Sequence, residues 1–309
     1  MNDQEKKPTV IAIIGPTACG KTEASLSMAR QHNGAVVSAD SRQVYVGMNV
    51  GTAKPAALNG TLHDELTADP IAGIDHYLFN IREPNDELTL ADWREAAYAA
   101  IEQIIRQNQL PIIAGGTMLY TDSIVKNYTL PAVPADQEFR TRKHLETAEA
   151  LYQELTTADP DAKEFIEPAN KRRIIRALEV IAATGQPFSA QRKQQPARYD
   201  VAVHGVFPGW SILESRIRHR VTTMLDQGLL AEVQALIDKH GATLPLLQTI
   251  NYAHAVQIIN GELDAKAAPA EMVQANLRYA RRQMKWWKRY SDISWHNTAS
   301  DLSNSVTAV

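Results

Sequence analysis

Cysteine is nearly absent from this chain. Cys19 is the one thiol in 309 residues, so no internal disulfide can form and a reducing compartment is expected. Long apolar runs are missing too. None approaches the roughly 20 residues of a bilayer span, and the opening MNDQEKKPTV lacks the apolar core of a secretory leader. A soluble cytoplasmic protein with no membrane partner is the expectation. Nor is there an excess of positive charge: 32 Lys and Arg stand against 35 Asp and Glu, for a net charge of -3. No global basic field advertises nucleic acid, so any such binding must come from a local patch. Internal repeats and low-complexity tracts are also lacking. The 44% hydrophobic content is ample for a large core and fits one to three domains.

The most informative stretch is VIAIIGPTACGKTEAS. A short β-branched run over 9–14 ends at Gly15, and Gly20, Lys21 and Thr22 follow in the spacing G-x-x-x-x-G-K-[ST]. Between a strand and a helix, this turn aims successive backbone N–H groups at anionic oxygens, where the helix dipole also favours negative charge. Gly15, Pro16, Thr17, Ala18, Cys19, Gly20, Lys21 and Thr22 are therefore candidate phosphate ligands. Lys21 brings a full charge, and the Thr22 hydroxyl can reach a Mg²⁺ ion that bridges phosphates. Cys19 reads as a small space-filler.

Further apolar strands are expected over 34–40, more weakly over 75–81, and over 110–116. Helices are expected over 21–31, across TLADWREAAYAAIEQIIRQ with Thr89 and Asp92 in capping spacing, and from TMLYTDSIV onward. Strand–helix alternation argues an α/β fold: a P-loop parallel sheet core flanked by helices, with ligands at the carboxyl ends of the strands. The pattern changes at NYTLPAVPADQEFR. No clear strand follows until VAVHGVF over 201–207, and helices are expected over 137–155 and 170–184. Residues 127–196 thus read as an inserted all-helical domain with a hinge at each end, and 1–126 plus 197–309 as the core with a helical C-terminal region.

Asp40 falls at a strand end beside the P-loop, where it can serve a metal through water, accept a proton, or simply cap the next turn. Ser41, Arg42 and Gln43 follow as hydrogen-bonding types suited to a polar substrate edge. In AGGTMLY, Thr117 is placed to touch a ligand, though alone it reads more readily as a helix cap. Arg216 and Arg220 share a helix face and can reach an anion, unless Glu214 or Asp226 pairs with them. Two basic helices stand out. In KRRIIRALEVI, Arg172, Arg173 and Arg176 lie opposite Ile174, Leu178 and Ile181. In NLRYARRQMKWWKRY, Arg278, Arg281, Arg282, Lys285, Lys288 and Arg289 recur on one stripe with no acid between them, a pattern that suits a polyanion. Trp286 and Trp287 read as core.

The combination resembles the bacterial tRNA dimethylallyltransferase family. The matching stretches are GPTACGKT, SADSRQVYVGMNVGTAKP, DHYLFNI, LPIIAGGTMLY, NKRRIIRALEV, RVTTML with GLLAEV, and YARRQMKWWKR, in family order over 10–289. Cys19 stands where the family usually has Ser, TINYAHAV where an Ile-Gly-Tyr pattern is expected, and the stretch between Pro55 and Asp75 is longer than usual. The resemblance implies that the P-loop grips dimethylallyl diphosphate rather than ATP, and that the acceptor is the exocyclic amine of adenosine 37 in the anticodon stem-loop of tRNAs reading codons that start with U. It implies Asp40 as general base and Thr117 as a ligand of the base or diphosphate. Lys21, Thr22 and Arg220, with Arg216 and Mg²⁺, would stabilise the leaving diphosphate. Ser41, Arg42 and Gln43 would touch the flipped base, and Arg140 the tRNA backbone. A monomer is expected. The residues alone leave open a P-loop kinase for a small molecule or nucleotide, a prenyl transferase for free adenine nucleotides, and a non-catalytic RNA binder.

Overall fold

The computed structural model describes residues 7–58, 60–191 and 193–306. The first six residues of the N-terminal reading and Arg192 of the Pro- and Gln-rich stretch lie outside them. The chain divides into two compact units, Met1–Val125 with Arg198–Val309, and Lys126–Ala197.

In chain order the elements are β1 (Thr9–Ile14), α1 (Lys21–Gln31), β2 (Gly34–Ser38), β3 (Asp69–Ile71), β4 (Ile74–Tyr77), α2 (Leu90–Arg106), β5 (Leu110–Ala114) and α3 (Met118–Val125). The second unit holds α4 (Gln137–His144), α5 (Ala148–Ala158), α6 (Lys171–Thr184) and α7 (Phe188–Gln191). The first unit then resumes with β6 (Asp200–Val206), α8 (Trp210–Asp226), α9 (Leu229–His240), α10 (Tyr252–Ile259), α11 (Ala268–Trp287), β7 (Ser294–His296) and α12 (Ala299–Ser305).

Seven strands form one sheet in the order β3-β4-β2-β5-β1-β6-β7. Every pairing is parallel except β3 with β4. A central parallel strand is covered on both faces, so it reads as an unbroken apolar run. In β1, Val10, Ile11, Ile13 and Ile14 are all fully buried. The amphipathic α2 covers the sheet with Trp93, Ala97, Ala100, Ile101 and Ile104, and its start is fixed by a reciprocal capping box of Thr89 and Asp92. The third strand is shorter than expected. It stops at Tyr77 because Leu78 and Asn80 both take positive φ. The short β3 and β7 carry too few residues for alternation to reveal them.

The second unit has its own apolar core, including Leu151, Leu155, Ile166, Ile174, Ile175 and Leu178. The single helix expected over 137–155 is two helices. Thr147 accepts the Ala150 N–H and starts α5 afresh. The unit's two ends run as a short antiparallel pair, with Tyr128 opposite Gln194.

The departure at TINYAHAV has a structural reason. Asn251 sits at φ 73° and ψ -50°, a strained conformation that glycine adopts at least cost. Asn251 is buried, and its amide offsets that strain. It donates to the Gly51 carbonyl at 3.0 Å and accepts from Asn276 at 2.8 Å. Asn251→Ala keeps the strain, removes the Gly51 carbonyl's donor and leaves Asn276 with only its Met272 bond, so it is expected to destabilise the protein by about 2–4 kcal/mol. Asn251→Gly relieves the strain and should lose less. Denaturant unfolding of the two variants checks this ordering.

Candidate active site

Four chain segments leave the carboxyl edge of adjacent strands: the P-loop after β1, Asp40 after β2, Thr117 after β5 and the α8 start after β6. Glycine makes two of these approaches possible. A Cβ on Gly115 would lie 2.1 Å from the Ala39 carbonyl oxygen, and one on Gly15 would lie 2.4 Å from the Val206 carbonyl oxygen and 2.8 Å from Cys19 Sγ. Their absence lets the β2 and β5 ends touch, and Thr117 N–H donates to the Ala39 carbonyl at 3.0 Å.

Asp40 takes up part of the capping role its position suggested. One carboxylate oxygen accepts the Arg42 N–H at 2.9 Å and the Gln43 N–H at 3.4 Å. Its other oxygen faces Gly116, 3.2 Å from where a Cβ would stand. Thr117 does not cap α3. Its hydroxyl accepts the Ser41 N–H at 2.8 Å and donates to the Ser41 hydroxyl at 3.1 Å, which binds the two loops together. Gln43 turns inward and donates to the Thr52 carbonyl, and Arg42 to the Ser41 carbonyl.

The P-loop carries Ala18 at φ 64° and Gly20 at φ 110°. Lys21 Nζ folds back over it, donating to the Gly15 and Pro16 carbonyls at 3.0 and 2.8 Å. Arg216 donates to the Cys19 carbonyl at 2.9 Å, and Arg220 to the Thr17 hydroxyl at 3.3 Å. Glu214 pairs with Arg218 instead, which leaves both arginines to the loop. Burial lowers the Arg220 pKa from its usual range, against the pull of Cys19 and Asp40. A cavity of about 700 Å³ opens beside the loop. Ala18, Gly20, Arg216, Arg220 and Lys54 line it together with the apolar Met224.

Several site residues gave no sequence signal of their own. Gln283, wholly buried on α11, accepts the Thr17 N–H at 2.7 Å and donates to the Gly116 carbonyl at 2.8 Å. Tyr279, one turn earlier, donates to the same carbonyl at 3.0 Å. Its phenol pKa is raised by burial and by Asp40. The P-loop and the loop after β5 thus meet across one amide. An uncharged polar residue four positions after Tyr279, on the apolar flank of a basic helix, is the only trace this leaves in sequence. Glu232 accepts the N–H groups of Asn49, Val50 and Gly51 and the Tyr252 hydroxyl. Lys54 Nζ donates to the Tyr45 carbonyl and to Asn80 Oδ1.

The two basic helices fare differently. On α11, Arg278, Arg281, Arg282 and Lys285 are exposed; Trp287 is buried as expected, whereas Trp286 is only half-buried. In the second unit, Arg140 and Arg176, expected to face RNA, both bond the buried Glu179. Burial raises the Glu179 pKa, but these two guanidiniums and the Asp136 N–H outweigh it and hold the carboxyl low. Pairing a buried carboxylate costs less than leaving it alone. Arg173 is half-buried and Arg172 exposed.

Thr22 is exposed, and its hydroxyl has no hydrogen bond among the described residues. No group of three His, Cys, Asp or Glu side chains that could hold a metal occurs among them. The one donor this offers Mg²⁺ is the Thr22 hydroxyl, which suits an ion held mainly by substrate phosphates and water. No helix is long and apolar enough to cross a membrane among the described residues.

The fold and this edge define an α/β protein that sets a glycine-rich turn and a carboxylate on one edge of its sheet. The IPP transferase family matches residues 43–290, and an isopentenyl transferase family matches 8–67. A tRNA dimethylallyltransferase of Herpetosiphon aurantiacus is 39% identical, over 93% of this chain and 89% of its own. One from Acaryochloris marina is 37% identical, over 97% and 96%. The crystal structure of the tRNA isopentenylpyrophosphate transferase from Bacillus halodurans aligns with a TM-score of 0.68 at 31% identity, over 97% of this chain and 95% of that one. A eukaryotic dimethylallyltransferase acting on tRNA shares the fold, with a TM-score of 0.76 at 24% identity, over 96% and 75%. This chain belongs to the IPP transferase family.

Burial pushes the Lys54 pKa down to about 8, against Glu232, Asp69 and Asp40, from an ordinary 10.5. The unfolded chain therefore holds one more proton than the folded one between about pH 8 and 10.5, and in that window stability rises with pH. Relative to Lys54→Met, the wild-type protein is expected to gain about 1–3 kcal/mol between pH 7.5 and 10.5, measured by urea unfolding. A flat difference would show that Lys54 stays charged in the fold.

Proposed function

We propose that this chain transfers a dimethylallyl group from dimethylallyl diphosphate to the exocyclic N6 amine of adenosine 37 in tRNA, releasing diphosphate. The observation that carries this reading is the Gln283 bridge, which fixes the P-loop amide of Thr17 and the Gly116 carbonyl beside Asp40 on one edge of the sheet. An anion grip and a carboxylate so placed suit a reaction in which a leaving group departs on one side and a proton on the other.

The diphosphate would lie on the amides of Ala18, Gly20, Lys21 and Thr22. Lys21 would leave its carbonyl partners for the anion, and Arg216 and Arg220 would balance charge from the cavity side. Thr22 would help hold Mg²⁺, which would further neutralise the diphosphate. The N6 lone pair forms the new N–C bond to the allylic carbon as the C–O bond breaks, and the electrons leave on the diphosphate. The free oxygen of Asp40 takes the amine proton. An aryl amine is a weak nucleophile, so alignment and exclusion of water carry much of the rate. Burial of Arg220 keeps its charge in a low-dielectric setting, where it acts strongly on the developing anion. The adenine must leave its stack to enter, and Ser41, Arg42, Gln43 and Thr117 border the place it would occupy.

The exposed cations Arg278, Arg281, Arg282 and Lys285 would hold the tRNA backbone, which favours a polymer over a free adenine nucleotide. In the inserted unit, Arg172 and Arg173 would add to this contact. Arg140 and Arg176 would do so only by sharing their guanidiniums with Glu179. The protein would work in the cytoplasm, as a monomer.

Asp40→Asn separates the two jobs of this residue. The amide oxygen can still accept the Arg42 and Gln43 N–H groups, so the turn survives, but the general base is gone. Incorporation of label from dimethylallyl diphosphate into tRNA is expected to fall about 10²- to 10⁴-fold with unchanged thermal stability. Wild-type protein that fails to label a competent tRNA would sink the reading.

A further inference from the structure

One large side chain on the outer surface plays no part in the core or in the chemistry above. Trp210 opens α8 and is 43% exposed, and Ile212 beside it is 51% exposed. An exposed tryptophan forgoes much of the stabilisation that burial would bring, so its placement calls for a reason. Gly209, at φ 89°, turns the chain from β6 into α8 just before it. The Phe207 ring meets Trp210 nearly at right angles, with centroids 5.2 Å apart. The Arg281 guanidinium lies over the indole, 6.0 Å from its centroid. Arg281 is exposed and has no carboxylate partner among the described residues. It forms one border of the cationic stripe that also carries Arg278 and Arg282.

We infer that Trp210 and Arg281 form a stacking platform for an unpaired nucleobase of the RNA substrate, separate from the base that reacts. The inference rests on the reading of RNA as that substrate. The chemistry selects the occupant. An indole face accepts any base, a guanidinium over it adds a cation–π contribution, and the unbalanced cations alongside take the phosphates. An apolar protein partner would strand those cations without counter-charge on burial. Helix geometry separates the platform from the reacting base. At 100° per residue, Arg281 lies about 200° around α11 from Tyr279, whose hydroxyl bonds Gly116 next to Asp40. The stripe runs between the two, so the stacked base belongs to a different nucleotide.

The test uses the full-length protein and an RNA hairpin comprising an anticodon stem and loop, with Kd measured over a range of salt concentrations. Trp210→Ala is expected to raise Kd about 10-fold, and Trp210→Phe to recover most of it. The slope of log Kd against log salt should stay unchanged for Trp210→Ala, because stacking releases no counterions. Arg281→Ala should lower that slope by about one charge. In the transfer reaction, Trp210→Ala should raise KM for RNA while leaving kcat at saturating RNA within two-fold. If wild type binds and modifies RNA but Trp210→Ala binds equally well, the platform is refuted and the proposed function stands. A shift of oligomeric state in Trp210→Ala with unaltered Kd would assign the patch to a contact between copies, which also overturns it. Should the wild type neither bind nor modify the hairpin, both readings fall together.

Discussion

The site depends on one buried amide. Gln283 offers an acceptor to the P-loop and a donor to the β5 loop, and it is wholly removed from solvent. A buried amide missing either partner would carry a desolvation penalty of about 1–3 kcal/mol, so the P-loop, the Gly116 turn and α11 hold one another in a single arrangement. Two consequences follow from its place on the helix. The stripe of exposed cations is held relative to Gly116, the residue that Asp40 faces, because Gln283 and Tyr279 of the same helix both bond the Gly116 carbonyl. The Thr17 amide is also committed to Gln283 and the Cys19 amide to the Pro16 carbonyl, which leaves those of Ala18, Gly20, Lys21 and Thr22 for the anion in the proposed reaction.

A second polar cluster supports the loop that carries Asp40. The segment 43–54 has no regular structure, so its backbone groups need partners from outside. Glu232 takes three consecutive N–H groups, Lys54 takes the Tyr45 carbonyl, and Asn251 takes the Gly51 carbonyl. Charges and amides so deep are costly, and they are tolerated because each meets a group that would otherwise be orphaned. Cys19 fits the same economy of space. Its sulfur is buried against Gly15 at the base of the P-loop, where a small side chain fills the gap.

Much of the sheet was legible because its strands are buried on both faces. The run over 9–14 and the helix over 21–31 match β1 and α1 residue for residue. What stayed hidden has a common cause. β3 and β7 are three residues each, below the length at which alternation can be read. Thr117 has the composition of a cap, but Ser41, 76 positions away, claims its hydroxyl. Arg140 and Arg176 sit on helices that look cationic until Glu179 is seen to face both. Gln283 and Thr17 are 266 positions apart. Local pattern reports local structure, while the partners that decide a polar residue's role come from elsewhere in the chain.

Charge distribution makes the final connection between this fold and a polyanionic substrate. A net charge of -3 would repel RNA if it were spread evenly. Many acidic side chains are exposed elsewhere on the surface, Glu138, Glu149 and Asp161 among them, and a few are drawn into the structure. Glu179 and Glu232 are occupied with arginines and backbone amides, and Asp40 with the turn that follows it. On α11 no acid stands between Arg278 and Arg289 to offset the exposed cations. At physiological ionic strength charges more than about 8 Å apart are largely screened from one another. An approaching phosphate therefore responds to the nearest face and not to the total. Local surplus over a global deficit is what lets a mildly acidic protein present a basic surface, and the Gln283 bridge holds that surface to Gly116, the residue that Asp40 faces.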